Sequence, residues 1–528
     1  MTRELEGLKL NLAAGHMSRR GFVAGASALG LGAAAASFMA NPAFATEAPV
    51  KGGHLKIGTG NGATTDTLDP AYNAADATFL ALRHCGETLL NVTPSSDLEH
   101  RLAEEFASKD NVTWQFKIRK GVEFHNGKSV TAEDVRKTVE RHSDEKSKSG
   151  ARGLLTDIDR LSVDGDTFKV TLKSPNADFA YYMADFHLVI QPDGGKDNPA
   201  SGIGSGPYIV ESNEPGVRYA FKKFPNYWDA NIGHVAESEV LVINDATARN
   251  GALQAGQVHM VNLVDPKVAG LLKGTPGVSI KNVSGRGYYV FVMLVDTPPF
   301  DNENLRMALK LAIDREEMVD KVLRGYGSVG NDMPVNASYP LFDASIPQRR
   351  YDPEQAAAYY KKSGHDGTPI VLRTANVAFP GAVEAAQLFQ QSAAKAGIPI
   401  EVRRVPDDGY PSEVWNKEPF CATYWAGRPT QDQIYSTVYL STAAWNDTHF
   451  KNADFDRLLI AARSELDPAK RKKDYSDMGR ILRDKGGLIA PVFNDWIDAV
   501  SDKVGGFVPD PNWGLMNNMA GLKCWLKA

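Results

Sequence analysis

Between Thr113 and Val139 the chain reads TWQFKIRKGVEFHNGKSVTAEDVRKTV. Trp114, Phe116 and Ile118 alternate with Gln115, Lys117 and Arg119, a period of two that puts apolar side chains on one face of a strand. The alternation resumes at Val122 and Phe124, and Asn126-Gly127 then supplies the positive φ of a tight turn. Thr131 offers a hydroxyl to cap a helix whose first turn carries Glu133 and Asp134, where the helix dipole favours negative charge. The spacing predicts a strand, a chain reversal and a helix from about Ala132.

Similar patterning continues along the chain. Lys51 to Gly58 reads as a first strand, and Thr67-Leu68-Asp69-Pro70 closes the loop after it. Gly58, Gly60 and Ala63 match a dinucleotide fingerprint superficially, but the polar run Thr64 to Thr67 stands where an apolar helix is required. Helical spacing predicts a helix over Ala77 to Leu90, another over Leu305 to Leu323 and another over Val383 to Ala396. Leu154 to Leu172 alternates around Asp164-Gly165-Asp166, a hairpin. Ile370 to Arg373, Ile398 to Val405 and Phe420 to Trp425 read as strands, and their alternation with helices implies an α/β lobe.

Residues 1–45 have the composition of an export signal: paired arginines Arg19-Arg20, an Ala/Gly-rich run to about Ala40, and small residues Ala43 and Ala45 where a signal peptidase reads. Cleavage is expected near Ala45, with Met1 or Met17 as the start. Without that leader 55 basic residues face 62 acidic ones. The mildly acidic balance argues against a nucleic-acid partner, and no later apolar run is long enough to span a bilayer. Cys85, Cys421 and Cys524 are far apart with no CxxC, so buried thiols are expected over a long-range disulfide. The scattered histidines His84, His125, His187, His365 and His449 form no metal-binding pair, and no cofactor is implied.

The stretch from Thr113 to Val139 resembles the fingerprint of the extracellular solute-binding proteins of bacterial ABC importers, family 5, the cluster that carries peptides, nickel chelates and opines. Ser201 to Tyr208 and Phe224-Pro225-Asn226-Tyr227-Trp228-Asp229 resemble that family's "GTGPY" and "NPDYW" segments, and Pro298 to Asn302 with Leu305 to Gly327 forms a third landmark in the family's order. The resemblance implies an α/β, two-lobed periplasmic binding protein of type II, cluster C, with an inserted subdomain and a cleft closed by hinge motion. Its parts would be a first lobe of 46–85, 200–292 and 488–528, an inserted subdomain of 86–199 and a second lobe of 293–487. The same resemblance implies a monomer free in the periplasm that binds a small or peptide-like solute and serves an inner-membrane ABC permease. It implies no enzymatic step, although a chemoreceptor or chaperone would use the same fold. A periplasmic hydrolase would need an activated nucleophile or carboxylate pair.

In the peptide-binding relatives a Trp-x-Gly-Asp sequence places an aspartate against the ligand's ammonium. Here Trp425-Ala426-Gly427 runs into Arg428, which inverts the charge. A guanidinium suits a carboxylate, sulfate or phosphate, so an acidic group on the solute is expected, in an opine-like or peptide-like compound or an anionic metal chelate. The competing reading pairs Arg428 with an internal acid such as Asp432 or Asp447. Tyr288, Tyr289, Tyr424, Trp425, Tyr435 and Trp445 are candidate aromatic walls, and Asp66, Asn446, Asp447 and Thr448 are candidate polar groups at the rim.

Overall fold

The computed structural model describes residues 48–73, 75–406, 410–443 and 445–528. The paired arginines and the cleavage position near Ala45 lie outside the described residues.

Alternation drives the central feature, an 11-stranded mixed sheet. Its order is Ile400–Arg404, Ile370–Thr374, Phe420–Trp425, Val278–Met293, Leu488–Ser501, Met260–Val261, His54–Thr59, Glu237–Val242, Arg218–Lys223 and Tyr208–Glu214, with Gly327–Val329 branching from Leu488–Ser501. Two long antiparallel strands, Val278–Met293 and Leu488–Ser501, run through the middle of this order. One core gathers on each side of them. Tyr288 to Phe493 encloses the core of the second lobe, whereas Leu55, Tyr208, Val240, Met260 and Val500 belong to that of the first.

The pairing of the two long strands breaks between Ser284 and Tyr288. There Gly285 passes so close to Trp496 that an added Cβ would lie 2.7 Å from its indole nitrogen. Chain without side-chain bulk is what this crossing requires.

A separate four-stranded antiparallel sheet, ordered Ala103–Ser108, Thr113–Ile118, Thr167–Leu172 and Ile158–Asp164, builds the inserted subdomain with the helix Ala132–Ser143. Trp114, Phe116 and Ile118 are buried beside Phe168 and Val170. Gly127 takes φ 81° in the expected turn. Thr131 and Asp134 form a reciprocal capping box, with Lys128 Nζ donating to Asp134 Oδ1 at 2.7 Å.

Two predicted helices are shorter than the spacing implies. The first spans Asp76–Cys85 and stops at Gly86, which is extended and packed against the backbone of Gly204 and Gly206; Leu90 then begins a strand. Leu305 to Leu323 is divided into Glu303–Leu311 and Arg315–Lys321, because the Asp314 side chain accepts from Glu317 N and starts a new helix. All three cysteines are buried free thiols. Among the described residues no helix is long and apolar enough to cross a membrane.

Replacing Thr131 by Ala is expected to cost about 1 kcal/mol of local stability. Hydrogen exchange should show faster exchange in the first turn of Ala132–Ser143 with little change in the second lobe.

Candidate functional site

In the first lobe the parallel strands His54–Thr59, Glu237–Val242 and Met260–Val261 end at one edge, the position where open α/β sheets hold ligands. Arg249 gathers their loops: Nη1 donates to the carbonyls of Ile243 at 2.6 Å and Asn244 at 3.1 Å, Nη2 to Leu263 at 3.2 Å, and Nε to Asn262 at 3.1 Å. Gly60 N donates to Asn262 Oδ1 at 3.0 Å and Gly62 N to Asn244 Oδ1 at 3.1 Å. Leu263 is held at φ 51° and left exposed.

Beside this edge Trp513 donates from Nε1 to Asp76 Oδ1 at 2.9 Å and stacks on Trp496 at 5.2 Å. The segment after it is unusual: Leu515, Met516, Asn517 and Asn518 all have positive φ, one turn of left-handed helix. Leu515 and Met516 each cost roughly 1–2 kcal/mol there, whereas asparagine tolerates the conformation better. Asp498 Oδ2 accepts from Leu515 N at 2.7 Å and stabilises the turn. Burial pushes the carboxyls up, that of Asp76 to about 6 against the bonds from Trp513 and Asn61, and that of Asp498 to about 7.

The second lobe contributes the strand Phe420–Trp425, in which Tyr424 and Trp425 point to opposite faces. Trp425 is buried and Tyr424 is 48% exposed. Trp445, 43% exposed, lies 6.0 Å from the Trp425 ring. Asp447 sits inside the lobe, where one carboxylate oxygen accepts the indoles of both Trp415 and Trp425 at 3.0 Å. Burial raises its carboxyl to about 6. Asn446 is also buried, its amide closing a turn on Phe450 O at 2.7 Å. Tyr288 is fully buried, its hydroxyl 3.2 Å from that of Tyr439, and Tyr289 stacks on Phe379 at 4.3 Å. Asp66 lies in the first lobe, where it closes its own loop on Ala63 N at 2.9 Å. The structure therefore brings Tyr424, Trp425, Trp445 and Arg428 to one strand end. Asn446, Asp447 and Tyr288 support that strand from within, and Asp66 stands apart.

Arg428 follows Gly427, where an added Cβ would lie 2.0 Å from Arg286 Cβ. The Arg428 backbone N–H donates to Tyr339 Oη at 3.1 Å, and Nη1 donates to the carbonyls of Ala426 and Gly427 at 3.2 and 3.1 Å. The acids that sequence offered as partners are engaged elsewhere. Asp432 takes Arg463 Nε at 2.8 Å and Tyr182 Oη at 2.5 Å, and Asp447 holds the two indoles. Among the described residues no carboxylate forms an ion pair with Arg428.

The inserted subdomain closes onto the second lobe through the Tyr182 to Asp432 bond, an ion pair of Asp178 with Arg471 at 2.8 Å, and Ala177 N donating to Arg463 O at 2.8 Å. Arg286, 1% exposed, ties the junction together: its guanidinium donates to Ser96, to Asn512 and to the carbonyl of Ser338. Sequence reasoning singled out none of Asp76, Arg249, Arg286 and Trp513. Their bonding partners are between 5 and 437 residues away in the chain.

Comparison with known proteins agrees with this architecture. The sequence model of the bacterial extracellular solute-binding proteins, family 5, middle part, matches residues 97–447. The glutathione-binding protein GsiB of Escherichia coli strain K12 is 25% identical over 527 residues, covering 96% of this chain and 100% of that one. The structure of the PBP AgaA from A. tumefaciens R10 in complex with agropinic acid superposes with a TM-score of 0.79 at 23% identity, covering 90% of this chain and 99% of AgaA. The periplasmic binding protein DppA from Helicobacter pylori, in complex with the peptide STSA, gives 0.79 at 20% identity, covering 91% and 99%.

For Asp447 the raised carboxyl pKa means that the folded state favours the neutral form. Its stabilising contribution is full below about pH 4 and lost as pH rises through about 6. Asp447→Asn, which keeps an acceptor for both indoles, should remove that slope and gain up to about 3 kcal/mol at pH 7.5 relative to wild type. Thermal unfolding at pH 4.5 and 7.5, with tryptophan fluorescence as the probe, checks it.

Proposed function

The chain belongs to the bacterial extracellular solute-binding proteins of family 5, and we propose that it captures a small polar solute bearing an acidic group between its lobes and delivers it to a membrane permease of an ABC importer. The observation that carries the acidic group is Arg428: a half-buried guanidinium just past the end of the strand Phe420–Trp425 whose side-chain bonds, among the described residues, go to two nearby carbonyls. A partly desolvated cation that forms no close ion pair among the described residues favours an anionic partner. Tyr424 and Trp445 offer exposed rings on the same lobe for the body of the solute. Export to the periplasm, with cleavage near Ala45, accords with this role, as does the likeness to GsiB.

The second reading is a free peptide held mainly by its backbone, which the likeness to peptide-bound DppA favours. Thermal unfolding of the mature protein separates the two. The panel comprises glutathione, opines, free peptides and nickel with and without organic chelators. A bound compound at 100 times its Kd adds roughly 2.7 kcal/mol to stability, enough to raise the midpoint measurably. A shift with acidic conjugates that Arg428→Asp abolishes supports the acidic-solute reading. Shifts with peptides that persist in the variant favour the second, and turnover of any compound overturns both.

A further inference from the structure

Asp76, Phe79 and Arg83 stand at i, i+3 and i+7 of the helix Asp76–Cys85, so they share one face. Each has a distinct environment. Asp76 is 2% exposed, and its neighbours within bonding reach are neutral: the Trp513 indole at 2.9 Å and the Asn61 side chain. The guanidinium of Arg249 lies in its field, yet all three nitrogens of that group are bound to carbonyls. Phe79 is covered by two partly exposed aromatics, Phe186 at 4.3 Å and Trp513 at 5.6 Å between ring centres.

Arg83 is the exceptional member. It is 8% exposed, and among the described residues its one hydrogen bond runs from Nη1 to Thr88 Oγ1 at 3.5 Å. Among the described residues no carboxylate reaches it within ion-pair distance. A guanidinium has five N–H donors, and a buried one that uses so few is costly unless something else takes them. Asp185 links this end of the stripe to the other lobe. Its carboxylate holds His187 Nδ1 at 2.6 Å, and it lies in the fields of both Arg83 and Arg428. Two arginines without ion pairs among the described residues therefore face the same carboxylate, which is already bonded to a histidine, and Arg83 also lies in the weaker fields of Glu87 and Asp510.

Resting on the solute-capture reading above, we propose that the solute is dipolar: its cationic end is held by Asp76 and the face of Trp513, and its acidic end lies between Arg83 and Arg428. Seven residues of helix separate the poles of the stripe by about 10 Å, close to the reach of an extended tripeptide. Phe186 and Trp513 form the apolar wall between them. Each pole of such a solute meets a charged group that forms no ion pair among the described residues. A molecule with one charge covers the other pole without giving it a partner, and so incurs that group's desolvation penalty.

Isothermal titration with triglycine and glutathione, each compared with its N-acetyl derivative, and with triglycine amide, tests the assignment. Both free-amine compounds should bind, and N-acetylation or amidation should weaken binding by at least about tenfold. In Asp76→Asn, which keeps an acceptor for Trp513, the N-acetylation penalty should shrink to within about twofold. In Arg83→Gln the amidation penalty should shrink likewise, and Arg83→Lys should restore it. Thermal midpoints near that of wild type show that the variants are folded. N-acetyl derivatives that bind as tightly as the free amines, or penalties unchanged in the variants, overturn the dipolar assignment. If acids from the panel bind through Arg428 while neither free-amine probe does, the dipolar assignment fails and the acidic-solute reading stands. If no compound of any charge binds, both fail.

Discussion

Two antiparallel strands, Val278–Met293 and Leu488–Ser501, carry the sheet from one lobe into the other, and most of the remaining structure follows from that continuity. A backbone ladder is stiff along its hydrogen bonds but yields where the register breaks. The ladder between these two strands is interrupted by a break between Ser284 and Tyr288. Arg286 lies inside it and reaches the inserted subdomain at Ser96, the C-terminal segment at Asn512 and the second lobe at Ser338. Gly427 touches the same residue, so the strand end that carries Arg428 is anchored at the break itself.

Charge is handled in two different ways across the interface. Where the inserted subdomain meets the second lobe, buried ions are matched: Asp432 with Arg463 and Tyr182, Asp178 with Arg471. Desolvation offsets much of the attraction in such pairs, so they set the register of closure more than they add stability. In the candidate site the pattern reverses. Arg428 and Arg83 have no ion pair among the described residues, and Asp76 is bonded by neutral groups.

Much of the local structure was legible in the sequence because it rests on neighbours. The strand Thr113–Ile118, the turn at Gly127 and the capped helix at Ala132 follow from period, φ and capping within 27 residues. The helix over Leu305 to Leu323 was read as continuous because apolar spacing persists across Asp314, whose capping bond outweighs it. Sequence pointed to Arg428 through its departure from a family motif, and the structure adds that no carboxylate among the described residues pairs with it. Asp447 carried the same polar look as a rim residue, yet its carboxylate is the buried acceptor for two indoles.

The amino-acid sequence by itself determined the α/β class, the family and the inversion of charge at position 428, since each depends on residue type at short, ordered spacing. Only the tertiary structure decided which charges remain unmatched. It set Asp76 against Trp513, 437 residues on, and wound Leu515 to Asn518 left-handed under the Asp498 carboxylate. It also withdrew Asp432 and Asp447 from Arg428 by giving them nearer partners. The electrostatic state of a side chain depends on distance and desolvation, and both are properties of the packed molecule.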